Sequence, residues 1–448
     1  MIGDVDEDHR PGAEPPLADL LAAHLHGSLS DPALEGMNLL NELVSRFPEA
    51  VSFAAGRPFE EFYDLEDLHR HVRTFCAHLE TELGQTPAQV VRTIFQYGRT
   101  KGFIHDLIAR NLAVDEDISA DPDAIVVTVG CQEAMYLVLR ALRADERDVL
   151  LAVSPMYVGI TGAARLVDMP VLGVSGGAHG VDLADLQATI DRARADGRRP
   201  RALYLVPDFS NPSGLSLPAA TRHRLLELAE REDLLLLEDN PYGLFSLSDE
   251  RLPTLKSLDT RRRVVYLGSF AKSCFPGARV GFVVADQLVW DGKSERGGYL
   301  ADQLSKIKSM LTVNTPPFAQ AAVGGRLLES GFSLSAANAA EKAVYRRNLR
   351  HLLDGLARRF PPGSGVSWNT PGGGFFVVLT VPFTVNDDLL ERCARDHGVL
   401  WVPMHHFYDG RSGMNQLRLS CSSLNTEDID RGLDRLSAFI ADSGDRFR

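Results

Sequence analysis

Short runs of consecutive apolar residues punctuate the middle of the chain. They are Ile125-Val126-Val127 leading into Thr128, the stretch Asp148 to Val153 with Asp148 as its one polar residue, Ala202 to Val206, Leu234-Leu235-Leu236-Leu237 and Val264-Val265-Tyr266-Leu267. Runs without polar alternation predict strands covered on both faces. The helix–strand alternation from 88 to 285 predicts an α/β domain. Helices are expected from Asp64 to Glu82, from Phe103 to Leu112, and from the small-residue turn Val129-Gly130-Cys131-Gln132-Glu133-Ala134 to about Leu142. Leu300 to about Thr312 and Phe318 to Leu328 read as further helices, with a polar loop, Asp286 to Tyr299, before them.

The flanks differ from this middle. Residues 1–16 are acidic and proline-bearing and predict a mobile tail. A short helix is expected over Leu17 to His26. A longer one is expected over Pro32 to Phe47, with Asp31 as N-cap and Met37, Leu39, Leu40, Leu43 and Val44 as its apolar stripe. Ser330 to Phe332 reads as a linker to a smaller C-terminal lobe. There Ser335 to about Arg358 predicts a long charged helix. Phe375-Phe376, Leu400 to Pro403 and Asn415 to Ser420 predict strands, and Glu427 to about Ala441 a final helix.

Composition narrows the class. A chain of 448 residues exceeds one simple core and predicts two or three lobes. The net charge of −13 argues against general nucleic-acid affinity. No apolar run is long enough to cross a bilayer, and the acidic N-terminus is unlike a secretory signal. The five cysteines are scattered and odd in number, which suits reduced thiols in the cytoplasm. No metal site is expected: the pair His405-His406 lacks a third ligand at a suitable spacing.

Candidate chemistry lies at the strand ends, where open α/β sheets place their ligands. Val264 to Leu267 runs into Gly268-Ser269-Phe270-Ala271-Lys272, and Pro276-Gly277 and Arg279 follow. A hydroxyl and a guanidinium beside one lysine suit a phosphate. A lysine able to form an imine, next to a phosphate cradle, points to pyridoxal phosphate. The turn at Gly130 presents a helix N-terminus, a second anion-binding feature. Four leucines lead into Glu238-Asp239-Asn240-Pro241-Tyr242, and one carboxylate there is placed for a ring nitrogen.

The pattern Ser-Phe-Ala-Lys, then Pro-Gly, then Arg seven residues after the lysine, resembles the fold-type I aminotransferases of class I/II. Pro207 to Gly214, with Asn211-Pro212-Ser213-Gly214, is similar to the same family's Asn-Pro signature, and Asn415 to Leu419 to its Asn-x-x-Arg-Leu segment. The resemblance implies a large domain with a mostly parallel seven-stranded sheet and a smaller α+β C-terminal domain. Its boundaries would be a disordered tail at 1–16, an N-terminal segment at 17–75 contributing to the small domain and a dimer arm, a cofactor domain at 76–330 and a small domain at 331–448.

It also implies roles. Lys272 would hold pyridoxal phosphate and carry a proton between the substrate Cα and the cofactor. Gly130, Cys131, Gln132, Ser269 and Arg279 would bind the phosphate, Cys131 without the serine hydroxyl usual at its position. Tyr157 would stack on the ring, and Asn211 and Tyr242 would meet the phenolic oxygen. Asp239 would meet the ring nitrogen, with Glu238 as the alternative. Arg418 would bind the substrate α-carboxylate. Gly56 and Arg57 belong to a Gly-x-Pro loop that passes the substrate. Arg57 there either reads a carboxylate or polar tail, or is a solvated loop residue. Tyr97, in a Tyr-Gly-x-x-x-Gly motif, would reach across a homodimer interface to the partner's cofactor.

Substrates would be an amino acid and a 2-oxo acid. Phe53 to Asp64, Phe95 to Gly102 and Val127 to Glu133 are similar to aminotransferases that make arylglycines, including dihydroxyphenylglycine, in bacterial natural-product pathways. A broad aromatic or 2-aminoadipate aminotransferase is the second reading. The same residues also serve a lyase or a non-catalytic cofactor-sensing protein. The absence of a basic helix-turn-helix module argues against the last.

Overall fold

The apolar runs become the central strands of a seven-stranded sheet. In the computed structural model, which describes residues 20–30, 42–177, 180–290, 292, 297–410 and 412–446, these strands number β2 to β8. They are β2 Ile125–Val129, β3 Asp148–Ser154, β4 Val171–Ser175, β5 Arg199–Leu205, β6 Leu235–Asp239, β7 Val264–Ser269 and β8 Val280–Val284. Their order is β2-β8-β7-β6-β5-β3-β4. β8 is antiparallel to both its neighbours and every other pairing is parallel.

Side chains alternate across the sheet, and each face has its own core. Leu236, Leu203 and Val264 pack with Leu225, Leu228 and Ile190 from helices Ala219–Arg231 and Leu183–Ala195. Leu237, Tyr204 and Val265 face the other way, against Ala134, Met135 and Val138 of helix Gly130–Leu142. Aliphatic side chains dominate both faces, because the crossover helices leave neither face in water.

A second, four-stranded sheet has the order β11-β12-β15-β14 and is antiparallel throughout. Its strands are β11 Ser367–Trp368, β12 Phe376–Thr380, β14 Val402–Pro403 and β15 Gln416–Ser420. Helices Ala339–Arg359, Asp387–His397 and Thr426–Arg446 cover it. The short strand β1, Val51–Ser52, runs parallel to β13, Val399–Leu400, so an early stretch of chain packs with this late one.

Several elements depart from the sequence-based expectation. Leu400 to Pro403 is not one strand. The fully buried Trp401 separates β13 from β14, and the chain changes partner there, from β1 to β15. The charged helix from Ser335 is broken at Asn338, whose side-chain amide donates to Ser273 O (2.9 Å) and Leu334 O (2.8 Å). The Asp286 to Tyr299 loop contains a small ladder, β9 Leu288–Val289 against β10 Gly298–Tyr299. The expected helix over Leu17 to His26 is replaced, where described, by short 3-10 turns at Ala22–His24 and Gly27–Ser30. The tail at 1–16 lies outside the described residues, as does most of the helix over Pro32 to Phe47, with Asp31, Met37, Leu39 and Leu40. Residues 42–46 are helical.

Among the described residues no helix is long and apolar enough to cross a membrane.

Candidate active site

The C-terminal ends of β2, β5, β6 and β7 meet at one edge of the large sheet, and the β12–β15 pair faces them. Strand parity decides which end residues point inward. Asp239 lies two residues past Leu237 and so shares its face, as does Tyr204 on the neighbouring strand. Tyr204 Oη donates to Asp239 Oδ2 at 2.6 Å, and Cys131 Sγ approaches Oδ1 at 3.5 Å. Burial pushes the Asp239 carboxyl up to about 6 in spite of these donors. Glu238 is excluded from this role. It lies on the opposite face and accepts from Leu255 N (2.8 Å) and Lys256 N (2.7 Å).

The anion-binding end is built around Gly130. Its φ is +71°, and a Cβ there would collide with the Arg279 guanidinium. Glycine is needed at this point, both for the positive φ and for the close approach. A Cβ on Gly281 would likewise meet Cys131 N at 2.6 Å. Val129 N is capped by Glu133 Oε2 (2.6 Å), which Lys308 Nζ holds in turn at 2.7 Å. The first turn of the helix is thus fixed with its N–H groups and positive dipole end toward the site. Arg279 itself holds a φ of 49°. That conformation costs about 1 kcal/mol for a residue with a Cβ.

Two cavities share Lys272, Tyr157, Asn211 and Tyr242 as a common wall. One, of about 190 Å³, continues past Cys131, Gln132, Asp239, Ser269 and Arg279. The other, of about 260 Å³, continues past Gly56, Arg57, Val158, Phe407 and Arg418. Their charged lining is Lys272, Arg279, Arg418 and Arg57 against Asp239 alone. In a chain of net charge −13, this cationic concentration selects an anionic ligand with two acidic ends.

Lys272 Nζ donates to Gly56 O at 2.7 Å. Burial, then the charges of Arg418, Arg279 and Arg57, push its amine down to about 8 from the usual 10.5. The neutral amine is the nucleophile, and a lowered value enlarges the neutral fraction near pH 8. Uptake of cofactor by the stripped protein should therefore speed up by roughly tenfold between pH 7 and pH 9 and then level off. Stopped-flow absorbance checks this. A rate still climbing through pH 10 would mean an unshifted lysine.

Arg418 sits on β15 between the buried Leu417 and Leu419 and points from the opposite face. Its guanidinium lies 4.4 Å from the Phe376 ring centroid and 5.1 Å from that of Phe407. Nη1 donates to Asn211 Oδ1 (2.5 Å) and Nη2 to Ala54 O (2.8 Å), while Nε is buried with no partner. Among the described residues no carboxylate pairs with it, and burial pushes it down to about 10. A buried cation with an orphaned N–H is a seat for an anion.

Every expected site residue except Tyr97 belongs to these two cavities or, as Gly130 does, lies against one. Tyr97 is 85% exposed on the outer surface. Arg57 is exposed yet lines the mouth of the 260 Å³ cavity. Gln132 is tied by its amide to Gly159 O at 2.7 Å. Sequence reasoning missed Tyr204, Phe376, Phe407 and Asn338. Tyr204 was visible only as one aromatic in an apolar run, and its partner is 35 residues away. It also missed Asp387, which the fold brings beside His405 and His406 although no sequence spacing links them.

Pyridoxal phosphate fits this donor set. The Gly130–Arg279 cradle, with Ser269, would take the phosphate, and the buried Asp239, short of a cation, would suit a protonated ring nitrogen. Lys272 stands between them and the Arg418 seat. Comparison with known proteins gives the same answer. The sequence profile of the aminotransferase class I and II family matches residues 71–436. The chain is 58% identical over 416 residues to an (S)-3,5-dihydroxyphenylglycine transaminase of Amycolatopsis orientalis, covering 93% of each. It is 32% identical over 396 residues to a 2-aminoadipate transaminase of Thermus thermophilus, covering 88% of this chain and 90% of the relative. The crystal structure of a multiple substrate aminotransferase from Thermococcus profundus superposes with a TM-score of 0.78 at 27% identity, covering 92% of this chain and 95% of that one. With profile, relatives and fold in agreement, the chain belongs to the class I and II aminotransferases and is a pyridoxal-phosphate-dependent transaminase.

Proposed function

We propose that this enzyme interconverts an arylglycine of the (S)-3,5-dihydroxyphenylglycine type and the corresponding aryl 2-oxo acid. The observation that carries this is the 58% identity, sustained over 93% of the chain, to the transaminase of that name. The cavity supports it: Val44, Val158, Val402 and Phe407 form an apolar wall beside the Arg418 seat. An arylglycine carries its ring directly on Cα, so a flat apolar wall close to the carboxylate site suits it. A 2-aminoadipate donor would instead place its second carboxylate at Arg57.

Bound in the site, pyridoxal phosphate supplies an electron sink for bond cleavage at the substrate Cα. The chain supplies the rest. Arg418 orients the α-carboxylate through two parallel N–H groups. Lys272 Nζ, already inclined to be neutral, takes the proton that leaves Cα. Asp239, held by Tyr204 and Cys131, would supply a negative charge to the ring nitrogen, and Tyr157, in the cavity wall, would offer a flat face to the ring. Single-turnover absorbance with dihydroxyphenylglycine, phenylglycine and 2-aminoadipate tests the substrate. The arylglycines should react at least about tenfold faster, a difference of about 1.4 kcal/mol. 2-Aminoadipate reacting as fast or faster would sink the assignment.

The active enzyme is a homodimer in this reading. Phe95 (78%), Tyr97 (85%) and Met310 (86%) are far more exposed than such residues usually are, and Val313 and Phe318 are exposed as well. A second copy covers these side chains and receives Tyr97 at its cofactor phosphate. Sedimentation should show a dimer at micromolar concentration, and Tyr97→Phe should weaken cofactor retention. A monomer that holds cofactor equally well contradicts both statements.

A further inference from the structure

Outside the active site, among the described residues, the fold brings together one cluster of three ligand-type side chains. Asp387 opens helix Asp387–His397, while His405 and His406 lie on the short turn Met404–Phe407. The β13–β14 stretch brings the two segments together. His406 Nε2 lies 2.7 Å from Asp387 Oδ1 and His405 Nε2 lies 4.0 Å from the same atom. The three ligand atoms all fall within 4.8 Å of one another. The two imidazoles lie side by side, 4.2 Å between centroids and 38° between planes. A tetrahedral zinc ion with ligands at about 2.1 Å holds them roughly 3.4 Å apart. The observed 2.7 Å and 4.0 Å bracket that separation, so small side-chain rotations convert the cluster into a three-ligand site. All three side chains are partly exposed, which gives an ion a way in and leaves a fourth position for water.

We propose that Asp387, His405 and His406 bind one transition-metal dication of the zinc type, and that its occupancy fixes the neighbouring Phe407 over the substrate cavity. Two imidazoles and one carboxylate favour zinc, nickel, cobalt or copper over magnesium or calcium, which prefer all-oxygen sites. The link to the reaction is short. Phe407 follows His406 directly, lies 5.1 Å from Arg418 and lines the 260 Å³ cavity. Its carbonyl accepts from Met156 N at 2.7 Å, which ties the turn to the end of β3. A metal on the two histidines holds this turn in one position and so sets how Phe407 covers the carboxylate seat.

The coupling rests on the substrate carboxylate lying beside Arg418; the metal site itself does not. The test titrates chelator-treated holoenzyme with Co²⁺ and follows its visible d–d absorption, with Zn²⁺ as competitor. One equivalent should bind, with the intense bands of a low-coordinate nitrogen and oxygen site and no sulfur-to-metal charge transfer. His406→Gln and Asp387→Asn, each checked for an unchanged cofactor spectrum, should each weaken binding by at least about tenfold. Saturating Zn²⁺ should change KM for the amino acid in the wild type and leave it unchanged in the His405→Gln/His406→Gln protein. Binding that survives the double substitution, a sulfur charge-transfer band, or a KM indifferent to metal in the wild type would each overturn the proposal.

Discussion

Substitution of Lys272 by alanine should lower transamination by about 10³-fold or more, the scale of a lost general acid–base group. The fold has little to lose. Lys272 Nζ makes a single hydrogen bond, to Gly56 O, and its charge is opposed by Arg418, Arg279 and Arg57. Cofactor binding should persist if, as proposed, Gly130, Arg279 and Asp239 hold its two ends independently of the lysine. The variant should therefore bind pyridoxal phosphate reversibly, with an absorbance that dialysis removes. Single-turnover rates check the first part and equilibrium dialysis the second. A variant that turns over at more than a few per cent of the wild-type rate would assign the proton transfer to another group.

Arg418→Leu should lower kcat/KM for amino acids by about 10² to 10³-fold, which is about 3 to 4 kcal/mol of lost charge-assisted binding. Stability should change little. The leucine leaves Ala54 O and Asn211 Oδ1 without donors, but it also removes a buried cation that has no carboxylate partner. Specificity should shift in a way a packing defect would not produce. An arylmethylamine, which has no carboxylate, should react equally well with both proteins. Equal losses for amine and amino acid would mean that Arg418 supports the wall rather than binding the substrate. Arg418→Lys should recover only part of the loss, since an ammonium cannot present two parallel N–H groups.

The large sheet was legible because burial on both faces writes itself as unbroken apolar runs. β6 and β7 start within a residue of their apolar runs and extend two residues past them. Lys272, Asn211 and Arg279 stood out as candidates because loops at strand ends carry special residue types, Asn-Pro, Pro-Gly and Gly, that mark them, whereas Arg418, inside β15, stood out only through the family resemblance. Face was not legible: Glu238 and Asp239 are equivalent in a sequence, and only the packing of Leu237 toward helix Gly130–Leu142 separates them. Contacts between distant segments were also hidden. Tyr204 to Asp239, Phe376 and Phe407 around Arg418, Asn338 to Ser273, and Asp387 to the two histidines are all set by tertiary packing and leave no local spacing. The break at Trp401 has the same origin, since a strand that changes partner has the composition of one that does not.

The central claim is that Lys272, among all the lysines of the chain, is the residue to which the cofactor attaches. Borohydride reduction of the holoenzyme makes that attachment permanent, and peptide mass mapping then locates it. The account predicts one equivalent of label per chain, on the peptide containing Lys272, with none on the buried Lys256 or Lys308. Label on either of those, or no label on a protein saturated with pyridoxal phosphate, would contradict it.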